Sequence, residues 1–143
     1  GYTVNVPLPS GCTAEVYDEA FARILAPVAR AYKPELIMVS AGFDSYYKDP
    51  LGGMRVTEEG FAKQAGVALS LAEELCGGKL VATLEGGYNL EGLARSAAEV
   101  AELMMGRKKA PAAETGKVEN FDVIIEKELS CLGDIWPGIG EKN

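Results

Sequence analysis

The sequence predicts an α/β fold in which helices pack against a parallel sheet. The prediction depends on two observations: segments with strand periodicity alternate with segments of helical periodicity, and Leu36–Val39 is a run of consecutive apolar residues. A parallel strand that is covered on both faces needs apolar residues at every position. The order strand, helix, strand, helix, strand, helix is typical of parallel sheets with helical connections.

The first strand and helix are predicted near the N-terminus. Thr3–Leu8 alternates polar and apolar residues, the period of a half-buried strand, and Pro7 indicates an edge or a strand end. Thr13–Tyr32 has apolar residues at helical spacing. Because proline lacks an N–H, Pro27 predicts a kink in this helix, and Pro34 follows its end.

Two further strand–helix pairs follow. The strand Leu36–Val39 leads through a polar loop to a helix that Thr57 is expected to cap and that ends at Gly77. Lys79–Leu84 is the third strand, and Asn89 is expected to cap the third helix. The buried face of that helix is predicted to contain Leu90, Leu93, Ala97, Val100 and Met104.

The C-terminal part is predicted to be less regular. We assign residues 1–106 to the main α/β portion and residues 107–120, which Pro111 and Gly116 interrupt, to an exposed linker. Residues 121–143 are expected to form a short helix and a tail that packs on the same domain, with Trp136 docking against its body. The chain has no internal repeat.

The bulk composition is that of a soluble globular protein. The chain has 143 residues, of which 48% are hydrophobic and 24% charged, so it is one domain or a large piece of one. No apolar run approaches the ~20 residues of a membrane-spanning helix. A net charge of −7 argues against direct binding to nucleic acid backbones. Since the chain begins at Gly1, without an initiator Met or a signal-peptide pattern, we expect a piece of a longer product.

The numbers of cysteines and histidines limit which metal sites and catalytic sites the chain can form. Cys12, Cys76 and Cys131 are odd in number and widely spaced, so a disulfide framework or a zinc knot is not expected, and a reducing, cytoplasmic setting is predicted. The chain contains no histidine. It therefore cannot form a histidine-based triad or a histidine-rich zinc site by itself.

Two loops at the carboxyl ends of predicted strands contain the candidate functional groups. Residues 40–53 place Asp44 directly after a buried strand, where a carboxylate is a good ligand for a divalent ion. Residues 84–90 place Tyr88 behind two glycines, and its phenol can donate a hydrogen bond to a carbonyl oxygen as negative charge develops. Each has a simpler interpretation: Asp44 as a turn residue, and Tyr88 as a packed aromatic with a satisfied hydroxyl.

The motifs SAGFD…DPLGG and LEGGYNL, one helix apart, resemble the C-terminal signatures of the zinc-dependent deacetylases of the histone deacetylase and acetylpolyamine amidohydrolase family. The resemblance extends from about Val4 to Leu103, and the Glu of EGGY is similar to class II and bacterial members. It implies part of a three-layer, parallel-sheet fold of the arginase/deacetylase type. It also implies hydrolysis of the N-acetyl amide of acetyl-lysine or of an acetylated polyamine.

The resemblance assigns roles position by position. Asp44 matches a zinc-binding aspartate, and Tyr88 matches the tyrosine that polarises the amide carbonyl and stabilises the tetrahedral intermediate. Leu51 matches a residue of the channel for the acyl-lysine-like side chain. The channel glycines correspond to Gly86 and Gly87. Asp49 matches an acidic loop residue whose expected role is structural.

The family's remaining groups have no counterpart here. Its other zinc ligands and its pair of water-activating histidines would belong to a missing N-terminal half, so the isolated chain is expected to be inactive. Leu36–Ser40 is expected to pair in parallel with Leu80–Leu84, while Val4–Leu8 belongs farther out in the sheet. The exposed strand edge is then expected to bind the missing half or a second copy of the chain.

Two other classes of function remain open. One is a noncatalytic remnant with the same fold, acting as a structural or interaction module. The other is a nucleotide- or phosphate-binding module, suggested by the glycines before the third helix. However, residues 86–92 match neither GxGxxG nor the P-loop pattern.

Overall fold

The computed structural model describes residues 2–111 and, beyond them, positions 123, 129, 130, 132, 135, 136 and 139. Within this part, four α-helices and a two-stranded sheet follow in the order α1, α2, β1, α3, β2, α4. Their bounds are Ala14–Ala20 (α1), Ala26–Tyr32 (α2), Ile37–Gly42 (β1), Glu58–Cys76 (α3), Leu80–Gly86 (β2) and Leu90–Met104 (α4).

The two strands pair in parallel, as predicted. Ile37 lies opposite Leu80, and Ser40 lies opposite Thr83. The register shifts after Ala41, where Gly42 pairs with Gly86. The predicted α/β class and the predicted pairing of these two strands are confirmed.

The predicted N-terminal strand is wrong: Thr3–Leu8 has no strand partner among the described residues. Its alternating burial is nevertheless as expected, because the alternate residues Val4, Val6 and Leu8 are partly buried. They pack on a cluster that includes Val16 and Ile24. An extended segment with one apolar side can bury that side against any apolar surface. Here the surface is the helical region that contains Val16 and Ile24.

The predicted helix over Thr13–Tyr32 consists of α1, a π-helical segment and α2. The π-helical segment, Phe21–Leu25, ends two positions before Pro27, and the N–H of the intervening Ala26 donates to the carbonyl of Phe21. Proline cannot donate to the carbonyl four residues before it, and a wider turn accommodates that loss. The irregularity expected at Pro27 therefore takes the form of a π-helical turn. The helix ends at Lys33, which has a positive φ of 56°.

Both later helices begin at the predicted caps. Thr57 Oγ1 accepts from the N–H of Gly60 at 3.3 Å, and Asn89 Oδ1 accepts from the N–H of Gly92 at 2.8 Å. These bonds satisfy donors that the first turn of a helix leaves free. The α3 helix ends at Gly77, whose φ of +64° suits glycine.

The predicted buried face of α4 needs one correction at each end. Leu90 is 77% exposed, and Met104 is also exposed. Both residues lie in the terminal turns of α4, where the side chains of the core no longer cover the helix. The central residues Leu93, Ala97 and Val100 pack against the core formed by Phe43, Tyr46, Val56 and Phe61.

One face of the sheet is uncovered within the described residues. Ile37 and Val39 are half-buried and border a cavity of about 430 Å³ between the sheet and the helices. Met38 and Val81 lie on the opposite face, and Met38 is 72% exposed. The expectation that Leu36–Val39 is buried on both faces is therefore not met in this part of the chain, because helices lie on one side of the strand and not on the other.

Most of the predicted linker and C-terminal helix lies outside the described residues, and the three-part division of the chain remains a prediction. Among the positions that are described, Trp136 is buried, and its ring lies 5.9 Å from that of Tyr2 and 6.3 Å from that of Tyr32. Of the helices in the described part of the chain, none combines the length and the apolar character needed to cross a membrane.

Candidate active site

The two loops that follow β1 and β2 meet at one edge of the sheet. The N–H of Phe43 donates to the carbonyl of Gly86 at 2.7 Å. A Cβ added to Gly87 would lie 3.1 Å from the carbonyl carbon of Phe43 and 3.4 Å from the nitrogen of Asp44. The absence of a side chain at Gly87 therefore allows the two loops to lie in direct backbone contact.

Asp44 lies in this contact, with its side chain exposed. Its carbonyl oxygen is covered by Gly52: a Cβ built on Gly52 would lie 1.6 Å from that oxygen. Only a glycine fits there, because the loop folds back on its own start. The result is a carboxylate that projects from a constrained backbone at the end of β1.

Tyr17, on α1, lies near this carboxylate and was not a candidate from the sequence. Burial raises the pKa of its phenol, a hydrogen bond with Ser45 opposes the rise, and the negative charge of Asp44 adds to it. In the sequence, Tyr17 is one apolar position of a helical stripe. A tyrosine in such a stripe is the only local sign of a polar contact.

Tyr88 follows Gly87 and is 63% exposed, so its phenol is accessible from solvent. Gly86, with a φ of +136°, takes a conformation that side chains rarely adopt, and this directs the chain towards the start of α4. Asp44, Gly86, Gly87 and Tyr88 therefore share one sheet edge. Leu51 lies elsewhere on the first loop and is 70% exposed.

Asp49 connects the two loops. Its Oδ1 accepts from the N–H groups of Leu51 and Gly52, both at 2.9 Å. Its Oδ2 accepts from the N–H groups of Tyr88 at 2.9 Å and of Asn89 at 3.2 Å. Desolvation acts to raise the pKa of Asp49, but the four backbone donors outweigh it and lower the pKa.

Two of the donors at the start of α4 are thus bound to Asp49, and a third, the N–H of Gly92, is bound to the Asn89 side chain. A phosphate bound at this end of α4 would have to compete with these side chains for the three donors. The arrangement disfavours the nucleotide-binding alternative on physical grounds.

Tyr46 supports the first loop from inside. It is 3% exposed, and its hydroxyl donates to Glu58 Oε1 at 2.8 Å. Desolvation and then the hydrogen bond with Glu58 raise the pKa of Tyr46. The neighbouring Tyr47 is exposed, and the Lys48 ammonium lies 5.0 Å from the centre of its ring. A hydrogen bond with Lys48 is the main cause that lowers the pKa of Tyr47.

In the part of the chain that the structure describes, the site offers one candidate metal ligand, Asp44, and not a complete metal site. Among the described residues there is no group of three or more His, Cys, Asp or Glu side chains that could hold a metal ion. A catalytic zinc usually has about three protein ligands and one open position. Asp44 offers an exposed oxygen donor on a constrained backbone, which suits one of those three positions.

Comparison with known proteins points to one family. The model of the "Histone deacetylase domain" matches residues 1–104. Histone deacetylase 10, chloroplastic, of Oryza sativa subsp. japonica is 42% identical over 112 residues, which cover 78% of this chain and 25% of that protein. Polyamine deacetylase HDAC10 of Mus musculus is also 42% identical over 112 residues, covering 78% of this chain and 16% of that protein.

A solved structure gives the same result for the fold. The histone deacetylase Clr3 superposes with a TM-score of 0.84 at 30% sequence identity, covering 96% of this chain and 23% of that one. The chain thus spans about a quarter of the length of the first relatives it matches.

Proposed function

The chain belongs to the histone deacetylase family, and on that premise we propose that it forms part of a zinc-dependent amidohydrolase. In this proposal Asp44 is one zinc ligand and Tyr88 is the residue that stabilises the transition state. The observation that carries the proposal is the contact between the two loops, in which the Phe43–Gly86 bond and the Asp49 carboxylate hold Asp44 and Tyr88 at one sheet edge.

The chemistry assigned to each residue follows from its position. A zinc ion bound by Asp44 and further ligands would polarise the amide carbonyl and lower the pKa of a bound water. The exposed phenol of Tyr88 would donate a hydrogen bond to the carbonyl oxygen as negative charge develops during attack. Such a contact is stronger in the transition state than in the ground state, so it accelerates the reaction.

The proposed substrate is an N-acetyl amide at the end of an alkyl chain, such as acetyl-lysine or an acetylated polyamine. The names of the relatives include both histone and polyamine deacetylases. A Cβ added to Gly86 would meet no other atom within 4 Å, so there is open space at this glycine for a narrow alkyl chain, and the exposed Leu51 is the proposed apolar wall.

The remaining ligands and the water-activating groups would come from the portion of the deacetylase domain that this chain does not contain. We propose that this portion binds along β1. Every residue of β1 borders the 430 Å³ cavity, whereas β2 contributes only Leu80 and Ala82 to it. The cavity between the sheet and the helices therefore extends along the whole of β1, and in this proposal a further strand beside β1 covers it with its own side chains. A second copy of this chain is the alternative occupant.

The proposed setting is a reducing one, as predicted from the cysteines. Cys12 and Cys76 are free thiols, and Cys12 is buried. We propose the cytoplasm, although the rice relative carries the name chloroplastic. The net charge of −7 supports the absence of direct nucleic acid binding.

Activity measurements test the proposal in two preparations. The isolated chain should not hydrolyse acetyl-lysine or acetylated polyamines, because it supplies one ligand of about three. The chain assembled with the rest of a deacetylase domain should bind zinc and show turnover. Asp44→Asn should reduce the zinc content of that assembly. Zinc-dependent turnover by the purified chain alone, abolished by Asp44→Asn, would show that its own residues complete the site.

Tyr88→Phe in the assembled domain tests the second role. Loss of one oxyanion donor should lower kcat by roughly 10²–10³-fold. Zinc content, measured in the same samples, should be unchanged. If the Phe variant keeps the full kcat, Tyr88 has no catalytic role.

A further inference from the structure

One carboxylate contacts both candidate catalytic loops. Asp49 accepts four backbone N–H bonds, two within its own loop and two from residues 39 and 40 positions away. A turn aspartate ordinarily bonds only to its own loop. The bonds to Tyr88 and Asn89 therefore go beyond what the first loop needs for its own shape.

Each pair of bonds holds a residue beside a proposed functional group. On one side, Asp49 binds the N–H of Gly52, and Gly52 packs on the carbonyl oxygen of Asp44. On the other, it binds the N–H of Tyr88 itself. The position of the Asp44 backbone is thus connected to that of Tyr88 through a single side chain.

Asn89 strengthens the connection from the opposite loop. Its Nδ2 donates to the carbonyl of Lys48 at 2.9 Å, while its Oδ1 caps α4. The first loop is therefore bonded to the first turn of α4 by side chains from both sides. A helix is rigid over a few turns, so this anchors Tyr88 to α4 as well as to β2.

We propose that Asp49 is a positioning residue, which holds the Tyr88 backbone at a set place relative to Asp44. The proposal rests on the proposed function, since the benefit of this position is to aim the phenol at the carbonyl bound beside Asp44. An asparagine at position 49 has one acceptor oxygen, and its NH₂ group would face N–H donors. It can therefore satisfy one side of the connection and not both.

The connection is tested first without any activity, by hydrogen–deuterium exchange of the chain. Asp49→Asn should increase amide exchange at Tyr88 and Asn89 as well as in residues 48–53, with little change in the centre of α3. Glu35→Gln, which removes the same charge from an exposed site, should leave both loops unchanged. Asp49→Glu retains both acceptor oxygens and should exchange more slowly than the Asn variant. It also provides the test if the Asn variant does not fold. Faster exchange confined to residues 48–53 in these variants would overturn the proposal.

The second test is kinetic and uses the assembled deacetylase domain. Asp49→Asn should lower kcat by about 10²-fold with little change in KM, because small misplacement of a catalytic group costs about that much. In the Tyr88→Phe background the same substitution should cause little further loss, since Asp49 acts through Tyr88. An equal loss in both backgrounds would show a general structural role and would overturn the proposal.

The two tests separate the proposal from the proposed function. If Tyr88→Phe itself retains full kcat, the proposed function fails, whatever the exchange data show. If Tyr88→Phe loses activity but Asp49→Asn alters neither exchange at Tyr88 nor kcat, the proposed function stands and the positioning role is wrong.

Discussion

At the scale of single residues, Tyr46 is the clearest case in which position in the chain and position in space differ. It lies in the polar loop after β1, where the neighbouring residues Tyr47 and Lys48 are exposed. Its ring is instead in the core, with the hydroxyl bonded to Glu58. A buried tyrosine needs such a partner for its hydroxyl, and the first turn of α3 supplies it.

The ring of Tyr46 packs so closely against α4 that only a glycine fits at position 92. A Cβ on Gly92 would lie 2.3 Å from Cδ1 and Cε1 of Tyr46. Alanine favours a helix by up to about 1 kcal/mol over glycine, but overpacking a core costs about 1–3 kcal/mol. Gly92→Ala should therefore reduce the free energy of unfolding, as measured by urea denaturation.

A double variant identifies the cause. In the Tyr46→Leu background the ring edge is gone, and Gly92→Ala should then be neutral or stabilising. If Gly92→Ala costs the same in both backgrounds, the loss does not come from contact with Tyr46.

At the scale of elements, the two loops after β1 and β2 behave as a unit because side chains of each bind the backbone of the other. Local sequence gave no sign of this for Asp49, beyond its place before a proline in a turn. The donors that Asp49 binds at the start of α4 come close only after α3 has brought β2 beside β1. The site therefore depends on the strand pairing.

The ionisation of Asp49 should make the stability of this unit dependent on pH. Its pKa in the folded chain is lowered, so the carboxylate stabilises the fold fully above its unfolded pKa of about 3.9. This contribution is lost as the pH falls through the lower, folded pKa. The difference in Tm between the original chain and Asp49→Asn should accordingly be constant above about pH 5 and shrink below about pH 4.

Glu35→Gln is the matched comparison for this experiment. Its Tm difference from the original chain should be small at every pH. If the Tm difference for Asp49→Asn is instead unchanged down to about pH 2, or grows as the pH falls, the carboxylate is not the stabilising form.

At the scale of the whole molecule, the described chain has an apolar surface that it does not cover. Within the described residues, helices lie on one side of the sheet only, and the other side exposes Met38 of β1 and Val81 of β2. Long apolar strand edges promote association between chains. Large exposed apolar patches are uncommon on stable monomers.

We therefore predict that this chain self-associates or is found bound to the rest of a deacetylase domain. Light scattering after size exclusion should give a mass above 15.1 kDa, increasing with concentration. Met38→Lys should reduce the association, whereas Ala98→Lys, on the exposed side of α4, should not. A single species of 15.1 kDa at high concentration, with no second polypeptide by mass spectrometry, would contradict the prediction.

The sequence by itself determined the features that depend on neighbouring residues. Helix periodicity, the caps Thr57 and Asn89, and the helix ends at Tyr32 and Gly77 are all decided within a few positions, and the structure agrees with them. Two motifs were also enough to indicate the family. Tertiary structure alone decided the rest. Thr3–Leu8 packs on a helix instead of joining the sheet, since its alternation specifies an apolar side but not a partner. The partners of Asp49 in the second loop likewise come from 39 and 40 residues away, a distance at which no local pattern specifies the contact.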